Sequence, residues 1–356
     1  MKVISVVGIV GLPACYGGFE SLVENLTKNS SSDLKYKVFC SSVSFRDRVK
    51  SHNNADLIYV PLSANGIQSI FFDIYSLIKS LFYKNDITLI LGVSGCIFLP
   101  FYRFFSKAKV ITNIDGLEWK RDKWSKLAKW FLKLSERIAI KYSDIIISDN
   151  QAIADYVKDE YGIISEVIAY GGDHALINTS NSFNVKDEIC VTDYYLSICR
   201  IEPENNVSMI LEAFSKNRLH IKFIGNWKNS EYGNSLLRKY SKYKNIELID
   251  PIYNLDTLFQ YRINCKGYIH GHSAGGTNPS LVEAMHIGKP ILAFDCGFNR
   301  YSTDNQALYF SNTESLTDTI NTATNEMLIF NSTKMKEIAL SKYTWRKITS
   351  QYEKLY

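Results

Sequence analysis

The feature that most constrains this chain is an alternation of short apolar runs with helix-like patterns, repeated along its length. Residues 2–10, 36–40, 57–60, 87–91, 109–113 and 145–148 read as strands, with helices over 19–28 and 124–142. After a polar stretch at 179–187, which reads as a linker, the pattern restarts. Strands are expected at 195–198, 220–224, 246–248, 267–270 and 290–294, helices at 207–215 and 279–286, and a last aromatic helix at 343–356. Alternation of this kind predicts parallel sheets covered by helices. A chain of 356 residues has room for two domains at roughly 150 residues each. The expected fold is therefore α/β, with two Rossmann-like, doubly wound parallel-sheet domains facing a central cleft. Residues 1–178 form the first and 188–342 the second, with the 343–356 helix packing back onto the first. Ligands of such sheets bind beyond the carboxyl ends of the strands, so the loops after strands are where chemistry is sought.

Composition excludes several classes. At 46% hydrophobic and 22% charged the chain is an ordinary globular one. A net charge of +5 is too mild to mark a nucleic-acid binder. Seven widely spaced cysteines without a CxxC fit neither a disulfide framework nor a zinc ribbon, and suit a reducing compartment. The longest uncharged run, 87–102, is short of the ~20 residues of a membrane helix and is interrupted by Gly92, Gly95 and Pro100. The opening MKVISVVGIVGLPAC reads as a first strand rather than a leader, because a Gly-rich turn and a helix pattern follow at once.

Five segments carry residue types suited to chemistry, each with a plainer structural alternative. The loop from Gly11 to Glu20 places Gly17 and Gly18 before a helix whose N-terminus favours anions; it is otherwise a strand-to-helix turn. Asp115 and Glu118 follow a strand, where a carboxylate can take a proton or bind a hydroxyl, or simply shape a turn before Gly116. Arg200 follows the first strand of the second half; its planar fork suits a phosphate, or a surface salt bridge. In the segment 268–285, glycines precede Asn278 as a natural N-cap, Pro279 at a first helical position and Glu283 one turn in. His270 and His272 lie there at i,i+2 spacing with no evident third metal ligand. The fifth segment, 119–141, holds eight basic residues against Asp122 and Glu136, a local charge of +6 that exceeds the whole chain's +5. Lys126, Lys129, Lys133 and Arg137 share one helix face there, Leu127, Phe131, Leu134 and Ile138 the opposite one, and Trp124 and Trp130 flank the apolar stripe. That pattern suits an anionic membrane surface, or a solvated basic face.

Taken together, the strings GLPACYGGFESLVENL, NIDGLEWKRDKW, SICRIEPENN and GGTNPSLVEAM resemble glycosyltransferase family 4, the nucleotide-sugar-dependent enzymes of GT-B fold. The likeness is to the bacterial rhamnosyltransferase subgroup of polysaccharide and O-antigen synthesis, and it covers nearly the whole chain. It implies a retaining transfer of rhamnose from dTDP-rhamnose onto a lipid-linked saccharide, with no cofactor and no metal. The basic segment 119–141 and the cysteine usage point to a cytoplasmic location, peripheral at the inner face of the cytoplasmic membrane. By the same resemblance Asp115 and Arg200 are the catalytic pair. Gly17, Gly18, Arg200, Asn205, Gly225, Asn226, Gly276, Thr277, Asn278 and Glu283 hold the donor, with Glu283 on its ribose. Tyr16, Glu20, Glu118 and His272 position acceptor or sugar. Lys126, Lys129, Trp130 and Lys133 are assigned the membrane contact, and Tyr170-Gly171-Gly172-Asp173 ends the first domain.

Three positions depart from the family pattern: Gly275 in place of a first glutamate, Asn205 in place of a lysine, and Asp115 in place of a histidine. Another UDP- or GDP-sugar donor, a sugar-nucleotide epimerase and a degenerate nucleotide-sugar-binding protein are the alternatives. A dehydrogenase is disfavoured because GxGxxG is missing.

Overall fold

A computed structural model describes residues 1–14, 17–120, 124–176 and 194–356. The expected linker at 179–187 and Tyr16 lie outside the described residues. The chain divides into two compact units, Met1–Tyr170 with Trp345–Tyr356, and Gly171–Thr344. The division falls inside the Tyr170–Asp173 segment.

The first unit runs β1 (Lys2–Val7), α1 (Gly18–Asn29), β2 (Leu34–Ser41), β3 (Ser51–His52), β4 (Ala55–Val60), α2 (Gln68–Ser80), β5 (Ile87–Leu91), α3 (Leu99–Phe105), β6 (Lys109–Asn113), α4 (Lys126–Tyr142), β7 (Ile145–Ser148), α5 (Gln151–Tyr161) and β8 (Glu166–Val167). Its eight strands lie in the order β3-β4-β2-β1-β5-β6-β7-β8, all parallel except the β3–β4 pair. Central strands such as ITLIL at β5 are apolar at nearly every position because helices cover both faces. Strand order reverses between β1 and β5, so the loops after these two strands flank the switch point where such sheets bind ligands.

The second unit runs β9 (Tyr194–Ile198), α6 (Val207–Ser215), β10 (His220–Ile224), α7 (Glu231–Tyr240), β11 (Ile246–Ile249), α8 (Leu255–Ile263), β12 (Gly267–His270), α9 (Pro279–Ile287), β13 (Ile291–Phe294), α10 (Gly297–Ser302), β14 (Leu308–Phe310), α11 (Thr313–Thr322) and α12 (Asn325–Lys342). The parallel order is β11-β10-β9-β12-β13-β14, with the switch point between β9 and β12. The last helix, α13 (Trp345–Leu355), belongs to the first unit. Trp345, Ile348 and Tyr352 enter the first unit's core beside Leu22 and Leu26 of α1. Lys2 and Lys109 donate to the carbonyls of Tyr356 and Leu355 at 3.0 and 2.6 Å.

Two differences from the sequence reading matter for function. Residues 61–86 and 97–108 carry α2 and α3, which the reading leaves unassigned. On α4 the buried residues are Leu132, Ser135, Glu136 and Ala139, while Leu127 is exposed. The helix is thus rotated relative to the expected apolar stripe, because a buried carboxylate at Glu136 takes part of the inner face.

Candidate active site

In the first unit, the loop after β1 is braced by α1. Glu20 is 4% exposed, and its two carboxylate oxygens accept from the Val10 and Gly17 amides at 2.7 and 2.9 Å. Burial pushes the Glu20 carboxyl up, against those amide bonds, and the nearby Asp115 charge adds to the rise. Two expectations change here. The Gly17 amide is committed to Glu20 rather than presented to a diphosphate, and Glu20 shapes the loop rather than reaching for acceptor or sugar. Glu24, which the sequence reading passed over, does the same one turn later by accepting from Ala14 N–H at 3.0 Å. Gly18 opens α1.

Asp115 follows β6 with φ +60, a conformation that costs a non-glycine residue and recurs at functional sites. The Asn113 side chain holds this turn: its Oδ1 accepts from the Asp115 amide at 3.0 Å, and its Nδ2 donates to the Tyr352 hydroxyl of α13 at 2.9 Å. Glu118 accepts from Trp124 Nε1 at 3.4 Å. Trp119 Nε1 donates to the buried Glu136 at 3.2 Å, and Tyr156 and Tyr161 donate to the same carboxylate at 2.6 and 2.7 Å. Lys133 belongs to this cluster, with its ammonium on Tyr156, 3.0 Å from Glu160 and 4.6 Å from the Trp119 ring centre. Lys133, expected at a membrane contact, shares its charge with Glu136 and Glu160 within the unit. Lys126 and Trp130 are exposed and Lys129 is half-buried.

In the second unit, three loops at the carboxyl ends of β9, β10 and β12 are tied together around the switch point. Arg200 is exposed, with its Nε 3.8 Å from Glu202. Asn205 donates from Nδ2 to the Arg200 carbonyl at 2.7 Å, so its Oδ1 faces His272 Nδ1 at 2.6 Å. That arrangement assigns the proton of His272 to Nδ1. Ser273 N–H donates to the Glu204 carbonyl at 2.9 Å, linking the same two loops. Asn226 Oδ1 accepts from Ile201 N–H at 2.7 Å, and a Cβ on Gly225 would come within 2.7 Å of the Cys199 carbonyl oxygen. Asn205, Gly225 and Asn226, expected to hold the donor, are seen building the turn that presents Arg200. Thr277 is buried, Gly276 half-buried, and the Asn278 side chain caps α9 by accepting from Ser280 N–H at 3.0 Å.

Glu283, expected on the donor ribose, pairs with Arg262 of α8 and with His174 at 3.1 Å. Burial raises the Glu283 carboxyl, but Arg262 and His174 outweigh it and hold the group below the ordinary carboxylate range. Neither partner was found from the sequence. Arg262 lies 21 positions upstream and His174 in the unit's first turn, with no local pattern joining them to Glu283.

Gly275 has φ +127, and a Cβ there would sit 2.5 Å from His272 Nε2. The departure from a glutamate thus has a physical basis, since any side chain strains the backbone and strikes a buried ring held by Asn205. Gly275→Ala is expected to lower unfolding free energy by about 1–3 kcal/mol, read from a urea midpoint; an unchanged midpoint contradicts this account.

His270 is fully enclosed, and burial pushes its ring down to about 3 from 6.5. An unfolded chain takes up that proton below about pH 6.5 and the folded one does not, so His270 costs stability as pH falls through this window. Asp73 and Glu20, both raised by burial, act in the opposite sense in the first unit. The test is therefore a difference: between pH 7 and pH 5, His270→Gln should gain about 2 kcal/mol relative to wild type. A pH-independent difference in urea unfolding contradicts it.

Residues 184–336 match the family described as glycosyl transferases group 1. The chain carries a glycosyl transferases group 1 domain. Residues 1–173, ahead of that group 1 domain, match a domain of unknown function (DUF1972). No curated protein sequence matches the chain. Among solved structures, sucrose-phosphate synthase from Thermosynechococcus elongatus superposes with TM-score 0.83 at 12% identity, covering 100% of this chain and 98% of the other. HepE of Anabaena in complex with UDP-glucose gives 0.74 at 13%, covering 100% and 99%. A glycosyltransferase from Rickettsia africae gives 0.71 at 13%, covering 99% and 97%. At these identities the likeness establishes the fold: two parallel-sheet α/β domains of the GT-B kind, one of them the group 1 domain.

Proposed function

We propose that this chain is a retaining glycosyltransferase that moves rhamnose from dTDP-rhamnose onto a lipid-linked saccharide in bacterial surface polysaccharide synthesis. The observation that carries the reading is Arg200, exposed at the carboxyl end of β9 on a loop braced by Asn205 and Asn226, within a group 1 domain. The UDP-glucose held by HepE supports a nucleotide-sugar donor, and the motif set of the sequence supports rhamnose.

In this reading the acceptor oxygen bonds to the sugar's anomeric carbon on the face the diphosphate leaves. The bond from that carbon to the phosphate oxygen breaks, and the departing diphosphate takes the acceptor's proton. Negative charge grows on the diphosphate, where Arg200 and the amides near Thr277 and Asn278 meet it without a metal. Donors already in place stabilise this charge more than the ground state. Glu283 is kept ionised by Arg262 and His174, and each of its oxygens retains a lone pair for a ribose hydroxyl. Asp115, set in its turn by Asn113, positions the sugar or acceptor.

The test is a transfer assay with labelled dTDP-rhamnose and a lipid extract from a polysaccharide-producing bacterium. Label moving into the lipid fraction is the expected result. Turnover without acceptor would indicate an epimerase, and binding without turnover a degenerate protein; either overturns the reading.

A further inference from the structure

We propose that the outer face of α2 and α3 docks this protein onto an anionic lipid bilayer. The proposal deepens the transferase reading, on which its biological use rests, by naming the surface that meets the membrane. Right-handed crossovers place α2, α3 and α4 together on the face of the first sheet opposite α1. Phe71, Ile78 and Phe82 form one helical stripe running off the end of α2, and Phe101, Phe104 and Phe105 another on α3. Phe82, Phe104 and Phe105 are 82%, 83% and 70% exposed. The two helices are joined beneath this face, where Ser80 donates to the Tyr102 hydroxyl at 3.3 Å. So many exposed phenyl rings on adjacent helices mark an interaction surface rather than scattered apolar residues.

Charge selects the occupant. The acidic residues of α2, α3 and α4 are Asp73 and Glu136, and both are buried. Lys79, Lys84, Lys107 and Lys126 stand on these helices or just beyond their ends, where the exposed carboxylates Asp86 and Asp144 are taken up by the Val3 amide and by Arg103. Aromatic rings beside cations, with no solvent-facing carboxylate among the described residues of the three helices, match an anionic headgroup layer over an acyl boundary. A second copy of the chain would set two basic faces against each other. Among the described residues no helix is long and apolar enough to cross a membrane.

The experiment is flotation of the full chain with vesicles of equal parts phosphatidylcholine and phosphatidylglycerol, and with phosphatidylcholine alone. Wild type should float with the mixed vesicles and far less with the neutral ones. The combined Phe101→Ser, Phe104→Ser, Phe105→Ser variant should lose roughly tenfold or more of its partitioning while keeping its nucleotide-sugar thermal shift. Phe82→Ser, outside α3, should weaken binding in the same direction should the combined variant fold poorly. Wild type that ignores anionic vesicles, variants that float like wild type, or a wild-type dimer that the substitutions dissociate would each overturn the proposal. Failure of sugar transfer with vesicle binding intact would strike the transferase reading alone.

Discussion

Arg200→Ala is expected to lose at least 100-fold in turnover with almost no change in stability. Its side chain is exposed, and among the described residues its Nε lies 3.8 Å from Glu202. Exposed substitutions of that kind usually move unfolding free energy by less than about 0.5 kcal/mol. In the transfer reading, the same guanidinium meets charge that develops on the leaving diphosphate. Losing one such fixed donor typically costs about 3–4 kcal/mol of barrier. The two effects separate cleanly: kcat falls in a purified transfer assay while the urea midpoint stays in place. A near-wild-type rate would remove Arg200 from the mechanism.

Glu283→Ala is expected to have the largest effect on folding. Arg262 and Glu283 side chains are 5% and 12% exposed, so removing the carboxylate strands a buried guanidinium. Breaking such a pair from one side typically costs about 3–5 kcal/mol. Replacing both partners, as in Arg262→Met with Glu283→Leu, should recover much of that loss, since no charge is left unpaired. Denaturant unfolding of the single and double variants decides it. A single variant as stable as wild type would mean that the pair does not hold α8 against α9. The double variant should also bind nucleotide sugar poorly, because the ribose acceptor is gone.

Much of the architecture was legible because parallel strands covered on both faces read as unbroken apolar runs. β5, β6, β7, β10 and β12 therefore stand where their sequences place them. The helices α2 and α3 were not legible for a related reason. Their outward faces are aromatic too, so adjacent apolar residues such as the exposed Phe71 and the buried Phe72 blur the helical period. On α4 the buried Glu136, satisfied by Trp119, Tyr156 and Tyr161, inverts the usual rule that charge faces water, and Lys133 follows it inward.

At the candidate site, the loops and glycines were readable as positions, but not what each side chain does there. Glycines at 225 and 275 could be named, yet only packing shows that Gly225 lies against the Cys199 turn and Gly275 against His272. The Glu283 network joins residues 174, 262 and 283, and no local spacing announces a contact across that separation.

In the proposed transfer the second unit holds a nucleotide diphosphate sugar through Arg200 and Glu283. Thermal unfolding of the full chain in the presence of individual nucleotide sugars tests it most directly, since a ligand at 100 times its Kd stabilises the folded state by about 2.7 kcal/mol. dTDP-rhamnose is expected to raise Tm more than UDP-glucose or GDP-mannose, and Arg200→Ala to lose most of the shift. No shift with any nucleotide sugar, or an undiminished shift in Arg200→Ala, would contradict it.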